Sequence, residues 1–215
     1  WVRALTYSNL FEKIDVVEIN HGYLDLIKNY SEHSKIFSDS RVTIHIDDGR
    51  RWLYRSNDKY DFILMNTTFH WRSYVTNLVS SDFLKIVKSH LNSGGVVYYN
   101  TTGSKDIIFT AATIFKHVVR YASFVAASDS PFSVDPAISR LFASTFLNGD
   151  ELVLNDTEAI KKILNNPLTD ISEQILLRKD LYKITDDNMA VEYRNKIRYF
   201  FNPKMSWDKM FKRLF

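Results

Sequence analysis

With 215 residues, 45% of them hydrophobic, 14% aromatic and 25% charged, the chain is too apolar and too varied to be disordered, collagenous or low in complexity, and long enough to bury a core. It contains no Cys, which removes disulfides, thiolate nucleophiles, iron–sulfur clusters and Cys-ligated zinc. Its 28 Lys plus Arg stand against 25 Asp plus Glu, a net charge of +3 that is too small to point to nucleic acid.

The chain opens on Trp1 rather than Met and runs directly into an apolar, helix-like stretch with no signal-peptide pattern, which reads as a piece cut from something longer. No window approaches the ~18 consecutive apolar residues of a membrane span, so the piece reads as soluble and compatible with a reducing cytoplasm. Residues 14–19 form a short apolar run that ends near an acid, and 21–30 place Tyr23, Leu24, Leu26, Ile27 and Tyr30 near a helical period. Val42, Ile44 and Ile46 then alternate with Thr43 and His45 up to Asp47, Asp48 and Gly49, after which Trp52, Leu53 and Tyr54 start a helical turn.

The pattern repeats with 60–65 as a buried strand and 81–91 as an amphipathic helix. Asn92, Ser93, Gly94 and Gly95 read as a turn into a strand over 96–99. Apolar strands separated by helices predict an α/β fold, a doubly wound, mostly parallel sheet covered on both faces. A helix is expected over 109–118. Two strands, 122–127 and 141–146, are expected across a loop holding Pro131 and Pro136, giving the sheet an antiparallel edge. From about Thr157 the texture changes to helices over 157–165 and 170–181 and a tail rich in aromatics, Lys and Arg. The division expected is a sheet domain over 1–150 and a helical extension over 151–215, its tail docked by its aromatics, with membrane-surface or partner contact as the alternative.

Ligands of doubly wound sheets sit outside the carboxyl ends of the strands. Those ends carry Glu18, then Asp47, Asp48 and Gly49, then Asn66, Thr67 and Thr68, and finally Asn100, Thr101, Thr102 and Gly103. An acid in the position of Glu18 can accept both hydrogen bonds of a ribose diol. An acid followed by Gly, as in Asp48-Gly49, can accept from an adenine amino group while the backbone approaches the ring. Taken alone, a strand-end acid is more often a solvated or helix-capping residue, and it is the joint spacing of the two that points to a nucleoside.

The runs KIDVVEIN (13–20), RVTIHIDDGRRWL (41–53), YDFILMN (60–66) and DFLKIVKSHLNSGGVVYYN (82–100) together resemble the spermidine and spermine synthase family, a branch of the methyltransferase-like Rossmann folds. ITDDNMAVEY (184–193) is similar to a segment of family members fused to membrane-spanning domains. The resemblance implies a site for decarboxylated S-adenosylmethionine, S-adenosylmethionine or the methylthioadenosine product, with Glu18 on the ribose and Asp48, Gly49, Asn66 and Leu78 on the rest of the nucleoside. It places Thr67, Phe69, Trp71, Asn100 and Phe132 on the substrate side. It also implies that the family's first strand and glycine-rich loop lie before Trp1.

The family's Asp-Ser-Ser-Asp-like element matches Asn66, Thr67, Thr68 and Phe69, its Gln matches Asn100, and its Tyr matches Phe132. An amide can orient an amine but cannot take its proton near neutral pH. His70, beside Trp71, is the candidate replacement base, with a surface loop histidine as the bland reading. The six histidines show no HxH or HExxH spacing, so no metal is expected. No G-x-S-x-G elbow occurs, and the three N-x-T sequons read as chance. Asp186-Asp187 reads as the cap of the turn before Met189, with reach into the site as the alternative.

The expectation is therefore a transferase of a small nucleoside sulfonium or thioether, with no nucleic-acid partner. A homodimer and a fused membrane domain are both compatible with it. A non-catalytic nucleoside-binding or scaffold domain is the alternative.

Overall fold

Short runs of Val, Ile and aromatic residues build the strands, and polar residues able to cap start most of the longer helices. In chain order the elements begin with α1 (Val2–Thr6), β1 (Ile14–Glu18), α2 (His21–Lys28), α3 (Ser31–Ser34), β2 (Val42–Ile46), α4 (Gly49–Arg55) and β3 (Tyr60–Met65). They continue with α5 (Ser81–Ser89), β4 (Leu91–Asn100), α6 (Lys105–Ala112), β5 (His117–Tyr121) and β6 (Phe124–Ser128). Last come α7 (Pro136–Ala143), β7 (Leu147–Asn148), β8 (Glu151–Leu152) and α8 (Ser172–Leu176). This computed structural model describes residues 1–66, 75–101, 104–121, 123–133, 135–154, 158, 161 and 168–188. The chain divides into two units, Trp1–Ser56 with Ser133–Leu168, and Asn57–Phe132 with Thr169–Phe215.

In the first unit β1 and β2 pair in parallel, from Ile14 opposite Val42 to Glu18 opposite Ile46. Asp15 is a carboxylate buried in β1. It is neutralised by the Lys13 ammonium at 2.9 Å and bonded to His45 Nε2 at 2.9 Å, and the His45 ring in turn lies 4.8 Å from that of Trp52. Arg41 locks the chain before β2 to the end of α1: its guanidinium donates to the carbonyls of Thr6 at 2.7 Å and Ser8 at 2.6 Å while pairing with Asp39. That pairing holds the Asp39 carboxyl below the usual range.

The second unit is a four-stranded sheet in the order β3-β4-β6-β5, parallel between β3 and β4 and antiparallel elsewhere. Alternation in β4 buries Val97 and Tyr99 with Val118, Val125 and Ala127 of the neighbouring strands, against Phe83, Leu84 and Val87 of α5 and Ile107, Ile108 and Ala111 of α6. Burial pushes the Tyr99 hydroxyl far above the ordinary phenol range. On the other face the rings of Phe62, Tyr98 and Phe124 stack in a ladder with centroids 6.4 and 4.9 Å apart.

A strap over 181–188 crosses the starts of α5 and α6. Tyr182 N–H donates to Asp106 at 2.8 Å and Ile184 N–H to Thr110 Oγ1 at 2.9 Å, while the Ile184 carbonyl accepts from Ser81 N–H at 2.8 Å. Ile184 itself is fully buried. At the far edge of the sheet Asp170 accepts from Ser172, from Val118 N–H and from His117 at 2.7 Å, tying α8 to β5.

The structure corrects several expected elements. The helix expected over 109–118 starts earlier, at Lys105, and ends at Ala112, because the β-branched pair Val118-Val119 belongs to β5. The antiparallel edge exists, but β5 and β6 form it. Residues 141–146 are not a strand. Asp135 accepts from the N–H groups of Ala137 and Ile138, and Pro136 occupies the first helical position, so this stretch is the end of α7 and its exit turn.

Residues 92–95, expected as a turn, and Leu91, expected as the end of the preceding helix, are already part of β4, with an irregular register against β3. Gly94 takes φ +79°, and a Cβ on Gly95 would sit 2.9 Å from the Asn92 carbonyl and 3.0 Å from that of Tyr60, so both glycines are required there. Strand 60–65 is half-exposed rather than buried, since Phe62 lies on the open side of the ladder. The helix expected over 170–181 shrinks to α8. Most of 157–165 and the whole tail from 189 lie outside the described residues.

Candidate functional site

The acids expected on the nucleoside all belong to the first unit, and the register of β1 and β2 brings their strands to one end. Glu18 closes β1 opposite Ile46, the last residue of β2, and Asp47 and Asp48 follow immediately. Glu18 is half-buried, and its Oε1 accepts from Asn20 N–H at 2.8 Å, which fixes the side chain at the entrance to α2.

Asp47 pairs with Arg51 one turn along α4 and accepts from Asp48 N–H at 2.7 Å. The Arg51 hydrogen bond is the main reason that its carboxyl is held below the usual range. Asp48 caps α4: its Oδ1 accepts from Arg51 N–H at 2.9 Å. The capping role that the sequence left open is therefore real, and it engages Oδ1.

Gly49 begins α4, and a Cβ built there would meet nothing within 4 Å. Its φ is outside the left-handed range, so neither packing nor backbone conformation requires glycine at this point. Sequence reasoning passed over Ile19 and Ile46. They are large apolar side chains left 70% and 48% exposed around Glu18 at the same strand ends. An isoleucine directly after a strand-closing acid was the available signal.

The second unit presents different chemistry. Met65 lies opposite Tyr99, so Asn66 and Asn100 emerge side by side at the carboxyl ends of β3 and β4. Asn66 is exposed and Asn100 half-buried. Thr101 turns away from solvent and donates through both N–H and Oγ1 to the Ser123 carbonyl, at 2.7 and 2.9 Å. Leu78, on a short 3-10 turn, and Phe132 are both half-buried. Thr67, Phe69, His70 and Trp71 lie outside the described residues.

Three acids near the helix starts of this unit serve the strap. Asp106 accepts from Tyr182 N–H, Asp82 accepts from Asp186 N–H at 3.1 Å, and Asp186 accepts from the Ser80 hydroxyl at 2.6 Å. Asp186 thus buttresses the residue that caps α5, while Asp187 is exposed in the turn from Thr185 to Asn188. Among the described residues no group of three or more His, Asp or Glu is placed to hold a metal ion. No helix among them is long and apolar enough to cross a membrane.

The model of the spermine/spermidine synthase domain matches residues 1–149. The chain belongs to the spermine/spermidine synthase family. A probable polyamine aminopropyl transferase of Bifidobacterium longum is 27% identical over 191 residues, which cover 84% of this chain and 36% of that protein. A polyamine aminopropyltransferase of Buchnera aphidicola is 31% identical over 97 residues, covering 44% of this chain and 34% of the relative. The chain thus spans about a third of these curated relatives. A spermidine synthase solved with the transition-state analogue AdoDATO superposes with a TM-score of 0.60 at 19% identity, over 81% of this chain and 64% of that one. The chain is an α/β protein with the fold of spermidine synthase, its sheets mixed with parallel pairs β1·β2 and β3·β4.

Proposed function

We propose that the chain is the nucleoside-binding portion of an aminopropyltransferase that takes decarboxylated S-adenosylmethionine, with Glu18 accepting from the ribose diol and Asp48 from the adenine amino group. The observation that carries this reading is Gly49. A glycine in a helix interior costs about 0.5–1 kcal/mol relative to Ala, and less at the first position, yet here neither packing nor φ asks for it. The open space beside it suits a ring lying against the backbone, and the exposed Ile19 and Ile46 offer that ring apolar surface.

In the reaction an acceptor nitrogen attacks the carbon bonded to the sulfonium. The carbon–sulfur bond breaks with its electron pair going to sulfur, which leaves neutral methylthioadenosine, and the new ammonium releases one proton. Such a displacement is accelerated mainly by holding the two reactants in line. Asn66 and Asn100 can orient an acceptor amine by hydrogen bonds but cannot accept its proton or offset a second ammonium. The acceptor we assign is therefore less cationic than putrescine or spermidine.

Titration calorimetry with methylthioadenosine tests the nucleoside half. Hydrogen bonds to a charged group contribute ~1.5–3 kcal/mol each, so Glu18→Ala should weaken binding about a hundredfold or more. Equal binding by the variant would remove Glu18 from the site. Micromolar binding of putrescine would refute the acceptor assignment. The same two amides also favour a second reading, a domain that binds nucleoside without transferring it. Asn66→Asp separates the two: gain of aminopropyl transfer means that one group was missing, while unchanged silence favours the binding domain.

A further inference from the structure

We infer that His45 is a positioning residue: it holds α4, which starts beside Asp48, at a fixed offset from β1, which ends in Glu18, and so sets the reach between the ribose and adenine contacts. This role presupposes the nucleoside reading above and belongs to a residue that itself touches no ligand. Glu18 and Asp48 are each fixed within their own element, Glu18 by Asn20 N–H and Asp48 by capping α4. A nucleoside that bridges them depends also on the offset between β1 and α4. A marginal two-stranded sheet does not secure that offset by itself.

His45 spans the gap. The register sets Asp15 opposite Thr43 and Val17 opposite His45, so Asp15 and His45 share one face of the sheet as diagonal neighbours. The Nε2–H of His45 donates at 2.9 Å to the carboxylate of Asp15, which lies on the same strand as Glu18. The His45 ring also lies 4.8 Å from that of Trp52, tilted by 41°. Trp52 is one turn into α4, and its N–H donates to the Asp48 carbonyl at 2.8 Å. One hydrogen bond, one ring contact and one helical turn thus connect the elements of the two acids, all inside the first unit. The anchor on β1 is firm, since the Asp15 side chain is 4% exposed and a carboxylate at that depth keeps its donors. An aliphatic residue would fill the same face of β2. The imidazole adds a donor toward β1 and a flat ring toward α4.

Calorimetric titration of the chain with methylthioadenosine and with its 2′-deoxy analogue tests this. The quantity read is the ratio of the two dissociation constants, because a variant that only lowers the folded fraction weakens both ligands alike and leaves the ratio unchanged. In the unaltered chain, loss of one hydrogen bond to Glu18 should weaken binding about tenfold or more. His45→Phe keeps a ring on Trp52 and leaves Asp15 paired with Lys13, but removes the donor. With Glu18 no longer held in reach of the diol, the ratio should fall to about threefold or less. Trp52→Leu cuts the path at its other end, should narrow the ratio as well, and decides the matter if His45→Phe does not fold. An undiminished ratio in either variant overturns the role of His45 and leaves the nucleoside reading standing. Equal affinity for both ligands in the unaltered chain instead refutes the placement of Glu18 on the ribose, and the role of His45 with it.

Discussion

Among the described residues of the first unit four apolar side chains, Ile14, Leu24, Ile36 and Leu53, reach burial, each still 7% exposed, and the strand ends carry carboxylates. In the second unit two helices close over β4, β5 and β6, Val97, Tyr99, Leu84 and Val118 are sealed completely, and the strand ends carry amides. A two-stranded sheet alone is marginal, and its strands hold through side-chain locks such as Arg41 and Asp15. The contrast teaches that the sealed core and the strand-end carboxylates are divided between the units. Among the described residues the second unit contributes most of the core, while the first keeps the carboxylates of its strand ends partly open to solvent.

The largest test of that contrast is truncation of the core. Leu84→Ala should cost ~2–5 kcal/mol by urea unfolding, with Leu53→Ala near or below the lower limit. Equal costs would erase the difference between the units. Next comes the cap of α5. Ser80→Ala removes the 3.2 Å bond to Phe83 N–H and the bond to Asp186, and should cost about 1–2 kcal/mol. Faster amide exchange over 182–188 should accompany it, and unchanged exchange would mean that the strap does not depend on this residue.

A smaller effect is expected at Asp170. Burial opposes its ionisation, but hydrogen bonds from Ser172, His117 and Val118 N–H prevail and hold the carboxyl at about 2. In an unfolded chain the value is ~3.9, so the stabilising contribution is complete above that pH and is lost as the pH falls toward 2. Asp170→Asn should flatten this acid limb of the stability profile, modestly because the group is partly exposed. An identical limb in the variant would assign it to other carboxylates. Smallest and opposite in sign, Gly49→Ala should raise stability by at most ~0.5–1 kcal/mol through helix propensity. It should also weaken methylthioadenosine binding, and a gain in stability with unchanged affinity would detach Gly49 from the ligand.

The strands β1, β2 and β3 were legible in the sequence because runs of Val, Ile and Leu ending in polar residues leave few alternatives. The acids of the first unit were legible for the same reason, since a strand end can be read without knowing what lies beside it. The boundary between α6 and β5 was not, because Phe109, Ile114 and Phe115 continue a helical period past the true end at Ala112. Around α7, Asp135-Pro136 was a local start signal outweighed by the apolar run of 141–146. The strap had no local signature. Its backbone is held by Asp106, Thr110 and Ser81, distant in sequence, so only the folded chain brings its partners together.

The strap also sets where the chain can be divided. The family match ends at residue 149, yet Ile184 fills the gap at the starts of α5 and α6 and its neighbours satisfy groups on both helices. A chain cut at the end of the family match would expose an apolar hole and leave the Asp106 carboxylate without its Tyr182 donor. The smallest piece of the second unit that keeps the strap's bonds to α5 and α6 therefore reaches Asp186, beyond the end of the family match.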